Sequence, residues 1–575
     1  MITRSLLALL WLLLAAPLLA DTVRVNVDGL DNELRDNVRA NLSLVALGDR
    51  DDLTEAAIRM LHRRAAGQIR RGLQPFGYYE PEITRRLERL EDGTWQASYS
   101  VSAGPRVHLD NVDVRVIGPG SHNKDVQAAL SQYRLKSGSP LLHTRYQLLK
   151  SAVRRAALDN GYLDAVYSSH ELLVDPAAGS ADITLVMDTG EQFRFGEIVI
   201  EQDAVTDELA ARYIEFATGE PFNQGLLLDA QYALQDSGYY SAVNVSAERE
   251  RASDRQVPVR IVATAQQRQR YSTGIGFATD VGARVSFGWE NRRINNRGHR
   301  ASANFRISEP ETEFATRYIV PFDDPRTDRY IYSISHLDED LGDDIRSRRD
   351  ELSATQARVL GDWQRSVYLQ LTHELSEIAQ DKSVDTLLLP GISFSRTLSD
   401  APIQPRKASR ITADLRGSFT GLGADTSFVR LTLETRLIRP VGKGRLLLRG
   451  DIGVSDVDDF GDLPVSQRFF TGGDRSVRGF GRDQLGPLDS EGRSIGGRHF
   501  LAGSVELEWP IAGRWSAAVF VDGGNAFNSF GSELEYSVGL GGRVRTPVGV
   551  VRFDIAKPVT VSKSPRLHIG LGSDL

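Results

Sequence analysis

Cysteine is absent from the 575 residues of this chain, and methionine occurs only 3 times. Without cysteine there is no disulfide, no thiol nucleophile, no thiolate metal site and no lipid anchor attached through a cysteine. A strong excess of one charge is missing too, since 69 basic residues face 76 acidic ones and the net charge is −7. This mild acidity, with no basic block, argues against nucleic acid as the main partner. The length suggests several domains.

Long apolar runs are missing after the first twenty residues. Residues 1–20 read as a secretory signal peptide, with Arg4 as the positive charge, residues 6–16 as the apolar core and Ala20 before the expected cleavage. An uncleaved anchor helix is the alternative, but the run is shorter than the roughly 20 residues that span a bilayer. The mean hydropathy of −0.28 would suit a soluble protein, yet membrane β-barrels also keep half of their strand residues polar.

The motifs of common enzymes are missing as well. The 10 histidines are scattered and form no metal pair. Residues 373–377 (HELSE) end in glutamate where the zinc-protease pattern needs a second histidine. Residues 539–542 (GLGG) lie in a strand-like segment and open no helix for a dinucleotide, and no Gly-x-Ser-x-Gly motif stands between a strand and a helix. We therefore expect no enzyme activity, no metal and no cofactor.

An internal repeat fills the first half of the chain. Residues 76–79 (FGYY), 160–163 (NGYL) and 237–240 (SGYY) each close a helical stretch, and their glycines are 84 and 77 residues apart. Each unit opens with a strand, continues with two helices and closes with two strands. A glycine at this place suits the left-handed residue that ends a helix. The pattern predicts three small α+β modules of the order β-α-α-β-β.

The sheets of these modules suggest a binding role. A three-stranded sheet leaves edge strands whose unpaired backbone groups must be hidden or used. A binding arm would use them to add a strand from an extended partner. The alternative is that charge blocks these edges, as Arg85, Arg86, Glu88 and Arg89 suggest for the first module.

The second half has a different pattern. From Arg270 onward the helical signal vanishes, and segments of about ten residues alternate in polarity, as in residues 283–290 (ARVSFGWE). About sixteen such segments begin near Tyr271, Gly282, His299, Thr312, Arg329, Glu351, Trp363, Ser383, Ser409, Thr426, Gly444, Arg498, Gly513, Glu535, Gly549 and Pro565. This length and an even number suit an outer-membrane barrel. We predict a 16-stranded antiparallel transmembrane β-barrel after the α+β modules; a secreted soluble β-protein is the alternative.

A turn-rich stretch, residues 456–498, separates two of these segments. Its middle, residues 468–482 (RFFTGGDRSVRGFGR), is dense in charge and glycine and keeps three phenylalanines. Long loops are usually functional or disordered, and a disordered loop does not need phenylalanine. An ordered loop would turn at Gly472, Gly473 and Gly479.

Arg478 in this stretch needs a fixed partner, and the best candidate is Asp522. That residue lies near the end of an alternating segment, in residues 520–524 (FVDGG), and we expect it to face away from Phe520. A guanidinium and a carboxylate can pair through two parallel hydrogen bonds. The alternative is that Arg478 is a solvated turn residue and Asp522 a turn residue at a strand end.

Val477, Arg478, Gly479 and Phe480, preceded by residues 468–473 (RFFTGG), resemble the sixth extracellular loop of the superfamily that contains BamA, TamA and the two-partner-secretion transporters. The resemblance implies a sixteen-stranded barrel with this loop folded inside it, latched by the pair of the arginine with an aspartate on a late strand. The β-α-α-β-β modules resemble the POTRA (polypeptide-transport-associated) domain. Three modules most resemble the TamA branch, because BamA-like proteins usually carry five and two-partner transporters two.

This resemblance implies an outer-membrane assembly factor of the translocation and assembly module, with its POTRA arm in the periplasm of a Gram-negative bacterium. Such a factor would promote the insertion or secretion of β-barrel proteins such as autotransporters. The implied partners are a TamB-like inner-membrane protein that spans the periplasm, client outer-membrane proteins and outer-membrane lipid. The alternatives are a two-partner-type secretion pore and a passive porin-like transporter with periplasmic binding domains.

The first and last strand segments are rich in glycine, with Gly274 and Gly276 in one and Gly570 and Gly572 in the other. Glycine weakens a strand, so a barrel closed by these strands would have a weak seam. Members of the resembled superfamily open at this seam to let substrate strands reach the bilayer. The alternative is that glycine only relieves crowding at a bend. We expect a cysteine pair at Ile275 and Ile569 to bridge the seam.

These observations divide the chain into regions. The junctions between modules, residues 102–105 and 188–191, are short, so we expect a semi-rigid arm. We predict a signal peptide at residues 1–20, POTRA modules at 21–106, 107–190 and 191–266, and an outer-membrane barrel at 267–575 with a lumen-inserted loop at 456–498.

Overall fold

The computed structural model describes residues 23–48, 50, 53–279, 281–342, 345–378, 381–547 and 549–572, so the expected signal peptide lies outside the described residues. Two compact units make up the chain. The described residues within 23–199, 216–228 and 246–259 belong to the first, and those within 200–215, 229–245 and 260–572 belong to the second. Among the described residues, no helix is both long and apolar enough to cross a membrane.

The first module folds around one buried core. Its elements are β1 (Val23–Asp28), α1 (Asn32–Asn41), α2 (Ser43–Leu47), α3 (Glu55–Leu73), β2 (Glu82–Arg89) and β3 (Trp95–Ser102). The sheet order is β1-β3-β2, with β1 parallel and β2 antiparallel to the central β3. Ile58, Ala65 and Ile69 share one face of α3 and pack into the same core as Tyr99 of β3. The short α2 is an addition to the predicted order.

The second and third modules follow the predicted β-α-α-β-β order. The second contains β4 (His108–Ile117), α4 (Lys124–Gln132), α5 (His143–Asp159), β5 (Val166–Asp175) and β6 (Ser180–Asp188). The third contains β7 (Arg194–Glu201), α6 (Asp207–Ala211), α7 (Gln224–Asp236), β8 (Tyr240–Ala247) and β9 (Gln256–Ala265). The orders β4-β6-β5 and β7-β9-β8 put the last strand in the centre, so the other two strands are edges.

The repeated glycine ends a helix and admits the backbone of the next module. Gly77 and Gly161 have φ angles of +88° and +84°, the left-handed region that glycine adopts without steric cost. A Cβ on Gly77 would lie 2.7 Å from the Leu141 carbonyl oxygen, and one on Gly161 would lie 2.5 Å from that of Phe222. The Val107 N–H also donates to the Gly77 carbonyl at 2.9 Å. These close backbone contacts join consecutive modules tightly.

Sixteen strands form one antiparallel sheet in chain order, which confirms the predicted barrel. They are β10 (Gln269–Ala278), β11 (Gly282–Asn291), β12 (Arg300–Ser308), β13 (Glu311–Pro321), β14 (Arg329–Gly342), β15 (Ile345–Leu360), β16 (Trp363–Ile378), β17 (Asp381–Ser399), β18 (Ala408–Ser418), β19 (Phe428–Val441), β20 (Gly444–Val457), β21 (His499–Ala512), β22 (Trp515–Phe527), β23 (Glu535–Thr546), β24 (Gly549–Pro558) and β25 (Arg566–Gly572). Strand β15 begins well before the predicted Glu351, because residues 346–350 (RSRRD) are polar on both faces and show no alternation.

The outer wall of the barrel is apolar and the inner wall is polar. Val521 and Leu540, on neighbouring strands, are 50% and 66% exposed, whereas the adjacent inward residue Asp522 is fully buried. This alternation is what a lipid-facing sheet around a filled lumen requires.

The third copy of the repeated motif contacts the barrel instead of a further module. The Tyr239 hydroxyl donates to the Gly298 carbonyl at 2.7 Å, in the turn between β11 and β12. The Arg300 guanidinium lies 4.8 Å from the centroid of the Tyr239 ring and donates to the Ser237 carbonyl. The tyrosine after the glycine therefore fixes the start of the barrel to the end of α7.

Candidate functional site: the lumenal loop and the barrel seam

Residues 458–498, between β20 and β21, contact the inward face of the barrel wall; we name this segment the lumenal loop. It contains one turn of 3-10 helix, Val465–Gln467, and is otherwise largely irregular. Val477 and Phe480 are almost fully buried and pack with Leu485. Burial of apolar side chains therefore orders the loop.

Arg478 and Asp522 form a buried, bidentate ion pair, the latch pair. Nε of Arg478 donates to Asp522 Oδ2 at 2.8 Å, and Nη2 donates to Oδ1 at 2.9 Å. The backbone N–H of Arg478 also donates to Oδ2, at 3.0 Å. Asp522 is 0% and Arg478 6% exposed. With so little solvent to replace either partner, losing one of them is costly.

The latch pair belongs to a larger network of charges. Nη1 of Arg478 lies 2.7 Å from Glu506 Oε2 and 3.0 Å from Asp554 Oδ2. Arg543 donates to the same two carboxylates, at 2.6 Å to Glu506 Oε1 and 2.5 Å to Asp554 Oδ1. The two guanidinium groups thus share two buried carboxylates, on β21 and β24, and Arg478 alone binds a third on β22. Each of these charges has a partner of opposite sign.

Glu506, Arg543 and Asp554 were not predicted from the sequence. Each stands at an alternating position of a strand, where a lumen-facing charge is ordinarily solvated. The signal that could have identified them is a set of opposite charges at inward-facing positions of neighbouring strands. That signal can be read only when the pairing register is known, because a slip by one residue turns every side chain to the other face.

The expectation that Asp522 faces away from Phe520 is wrong. Residues two apart in a strand point to the same side of the sheet, and both of these side chains are buried on the inner face of β22. Cζ of Arg478 lies 3.4 Å from the centroid of the Phe520 ring. The ring face therefore supports the guanidinium that the carboxylate binds.

The predicted loop glycines adopt backbone conformations that other residues avoid. The φ angles are +119° at Gly472, +91° at Gly473 and +101° at Gly479. A Cβ on Gly472 would lie 2.3 Å from the Gly481 carbonyl oxygen, and one on Gly479 would lie 3.2 Å from Pro558 Cδ. The first position has no space for a side chain, and the second is tight.

Two further anchors, also not predicted, tie the lumenal loop to other strands. Glu374 on β16 is fully buried and accepts a hydrogen bond from the Ser466 N–H at 3.0 Å. Arg482 donates to Glu339 Oε1 on β14 at 2.9 Å. Glu374 lies in the HELSE stretch that resembles a zinc motif, and its role in the fold is to hold the loop.

Strands β10 and β25 meet at the two ends of the sheet, and we name this junction the seam. Within the described residues they form no ladder, and one backbone hydrogen bond joins them, from the Thr279 N–H to the Ile569 carbonyl at 3.1 Å. The Ile569 N–H donates to the Thr279 hydroxyl at 3.1 Å. By contrast, β24 and β25 pair from Val550 to Ala556 without interruption.

The four predicted seam glycines lie on these two strands. A Cβ on Gly274 would lie 2.7 Å from the Ser286 hydroxyl, and one on Gly276 would lie 3.3 Å from Arg284 Nη2. A Cβ on Gly570 would meet open space, and Gly572 is the last residue of β25. At Gly274 and Gly276 an added Cβ would meet only side-chain atoms that can move, and at Gly570 it would meet nothing, so backbone crowding does not require glycine at these three positions.

The expectation that Ile275 and Ile569 can be bridged across the seam is wrong. Thr279 is the residue that lies opposite Ile569. Ile275 is four positions earlier (279 − 275 = 4), about 13 Å along the strand, whereas a disulfide needs Cα atoms within about 7 Å. Thr279 and Ile569 are the pair that faces across the seam.

Modules of the POTRA type, a sixteen-stranded barrel, an arginine-latched loop and a weak seam define a class of outer-membrane protein. The family model described as the Omp85 superfamily domain matches residues 234–574, more than half of the chain, so the chain belongs to the Omp85 superfamily. The model described as POTRA domain TamA domain 1 matches residues 24–103, and the model described as surface antigen variable number repeat matches residues 193–265. The protein therefore resides in the outer membrane, with its POTRA arm in the periplasm.

Two relatives show how far the similarity extends. Outer membrane protein assembly factor BamA of Nitratidesulfovibrio vulgaris is 23% identical over 535 residues, covering 86% of this chain and 65% of that protein. The sorting and assembly machinery component 50 homolog of Mus musculus is 28% identical over 175 residues, covering 28% of this chain and 35% of that protein. The chain thus spans less than two thirds of the length of these relatives.

Among solved structures, BamA from Haemophilus ducreyi lacking POTRA domains 1–3 is similar, with a TM-score of 0.67 and 17% identity. The match covers 81% of this chain and 99% of that one. The two proteins share the fold of POTRA modules followed by the barrel.

Proposed function

We propose that this protein is an outer-membrane assembly factor of the translocation and assembly module. It passes the strands of client β-barrel proteins, such as autotransporters, into the bilayer or across it through the seam between β10 and β25. The observation that carries this proposal is that a single backbone hydrogen bond crosses the seam among the residues that the structure describes. Because few bonds hold the two edges together, the seam opens at a low cost.

An opened seam lowers the barrier to insertion by pairing the client's backbone. Each unpaired backbone group in hydrocarbon costs several kcal/mol. A client strand that adds to the free edge of β10 or β25 satisfies these groups as it enters, in the way that extended segments add to sheet edges. Transfer of the client's apolar outer face into lipid then supplies the free energy, so no nucleotide is needed.

The POTRA arm receives the client, or a TamB-like inner-membrane protein that spans the periplasm. The match of residues 24–103 to the TamA-type first POTRA domain supports this partner. Strand β5 is the better docking edge, since its apolar residues Val166 and Leu173 are 60% and 63% exposed. The edge strand β2 carries exposed Arg85 and Arg86, which discourage pairing.

A reversible lock tests the seam. The variant Thr279→Cys/Ile569→Cys is oxidised in the full-length, otherwise cysteine-free protein, and the insertion of a radiolabelled client barrel into proteoliposomes is measured. We expect oxidation to reduce client insertion at least about tenfold and reductant to restore it. The matched control is Leu371→Cys/Leu388→Cys, which bridges two strands already paired in a ladder and should leave insertion unchanged under oxidation. Undiminished insertion by a fully oxidised seam would refute the proposal.

A further inference from the structure

The carboxylate of Asp474, in the lumenal loop, reaches both edges of the seam. Its Oδ1 is hydrogen-bonded to Nδ1 of His568 on β25. Its Oδ2 accepts a hydrogen bond of 3.3 Å from the hydroxyl of Thr279, the residue after the end of β10. One side chain of the loop therefore bridges two strands that, over their described residues, share a single backbone hydrogen bond.

The loop holds His568 by both of its ring nitrogens. The Gly479 N–H donates to Nε2 at 3.1 Å, which makes Nε2 the acceptor and places the ring proton on Nδ1. Nδ1–H then donates to Asp474. An imidazole with one acceptor and one donor satisfies both contacts at once. His568 is only 4% exposed, so water competes little for either bond.

The same short stretch of loop contains the latch. Arg478 precedes Gly479, and its backbone and side chain are fixed by Asp522. The position of residues 474–479 is thus set at one end by the network on β21 to β24 and at the other by the seam. A cavity of about 470 Å³, lined by Arg478, Asp474 and His568 among others, adjoins both. It leaves room for these side chains to move when the seam parts.

We propose that Asp474, His568 and Thr279 form a seam clamp, through which the lumenal loop sets how often the barrel opens. Rupture of the Asp474 contacts removes the bridge between β10 and β25. Among the described residues, the two hydrogen bonds between Thr279 and Ile569 then remain across the seam, and the Gly479 N–H remains bonded to His568. Asp474 and His568 are positioning residues in this account, because they hold the strands rather than touch a client. The clamp rests on the proposed function for its purpose, but its effect on the seam is measurable without any client.

Amide hydrogen exchange of the full-length protein in lipid nanodiscs tests the clamp. We expect Asp474→Ala to speed exchange in β25, at the Ile569 amide above all, by about tenfold, as the loss of one or two hydrogen bonds implies. Asp474→Asn keeps an acceptor for His568 Nδ1–H and should retain most of the protection. His568→Gln keeps one acceptor and one donor and should be protected better than His568→Ala.

The matched control is Asp489→Ala, which removes an acid of the same loop that pairs with Arg493 and not with the seam. It should leave exchange in β25 unchanged. Unaltered exchange at Ile569 in both Asp474→Ala and His568→Ala, with the barrel folded, would overturn the clamp. Faster exchange in Asp474→Ala with no change in client insertion would uphold the clamp and count against the proposed function instead, so the two failures are separable.

Discussion

Glu374 of β16 and Ser466 of the lumenal loop share two hydrogen bonds: the Ser466 N–H lies 3.0 Å from Glu374 Oε1, and the Ser466 hydroxyl donates to Oε2. The contact lies near the start of the loop, whereas Arg478 binds Asp522 on β22, six strands further along the sheet. The loop is therefore pinned to two separate parts of the barrel wall. Its position does not depend on the arginine alone.

Removal of the first anchor should loosen one half of the loop without unfolding the barrel. Glu374→Ala leaves the Ser466 N–H, and the hydroxyl groups of Ser347 and Ser376 that also bond to Glu374, without their acceptor, at a cost of about 2 kcal/mol or more. We expect trypsin to cleave at Arg468, which is buried in the native protein, at least about tenfold faster. The control Glu434→Ala, an exposed acid of β19, should not change cleavage.

Exchanging the two charges of the latch pair should not restore the stability that a single substitution removes. Asp522→Asn is expected to cost about 3–5 kcal/mol, because the Arg478 charge remains buried with a weaker partner. From the pair alone, the exchange Arg478→Asp/Asp522→Arg should restore stability. In the structure, an acid at position 478 would instead face Glu506 and Asp554, so we expect no recovery. Stability is measured as the temperature at which the barrel loses its compact mobility in gel electrophoresis. The control is Arg475→Ala, which removes an exposed arginine of the same loop.

Two glycines of the loop should differ sharply when replaced by alanine. Gly472 and Gly492 both have positive φ angles, +119° and +82°, so both substitutions carry backbone strain of about 1–3 kcal/mol. A Cβ at Gly492 meets open space, whereas at Gly472 it collides with a backbone oxygen. Gly472→Ala should therefore lower the unfolding temperature clearly more than Gly492→Ala. Equal effects would mean that the loop rearranges freely around position 472.

The junction of the first two modules should weaken in acid. Nε2 of His143 lies 2.6 Å from the Tyr79 hydroxyl, and burial lowers the pKa of His143 below its usual 6.5. At a pH between this lowered pKa and 6.5, the unfolded state binds more protons than the folded one. The stabilising contribution is therefore complete above about pH 6.5 and is lost as the pH falls through the lower, folded pKa.

Hydrogen exchange of the Val107 amide, which donates to Gly77 at this junction, measures how often the junction opens. The rates are first corrected for the pH dependence of intrinsic amide exchange. We expect faster opening at pH 5.5 than at pH 7.5. His143→Gln should abolish this dependence, while His122→Gln, at an exposed histidine of the same module, should retain it. A dependence that survives His143→Gln would assign it to another group.

The barrel should conduct poorly in planar bilayers, because the lumenal loop occupies its interior. We expect the native protein to show small, brief openings, and the double variant Glu374→Ala/Arg478→Ala to show a larger and steadier conductance once both anchors are lost. A wide, steady pore in the native protein would favour the porin-like alternative. Fluorescence of the folded barrel in the same vesicles controls for misfolding of the variant.

The sequence predicts those features that depend on neighbours along the chain. Alternation of apolar and polar residues locates most strands of the barrel closely, and it fails at β15 because residues 346–350 (RSRRD) carry no alternation. The repeated glycine marks the helix ends, because a left-handed residue is a local requirement. The sequence predicts Asp522 as the partner of Arg478. The prediction that Asp522 faces away from Phe520 is wrong, although the two-residue period of a strand is enough to decide this point.

By itself the sequence determined the three modules, the number of strands and the loop that contains Arg478, since each depends on periodicity or on short motifs. Only the tertiary structure decided that Glu506, Arg543 and Asp554 surround Arg478, that Glu374 holds the loop, and that Asp474 spans the seam. These contacts join residues 11 to 195 positions apart. They follow from strand register and from the path of the loop through the lumen, which no local pattern of residues encodes.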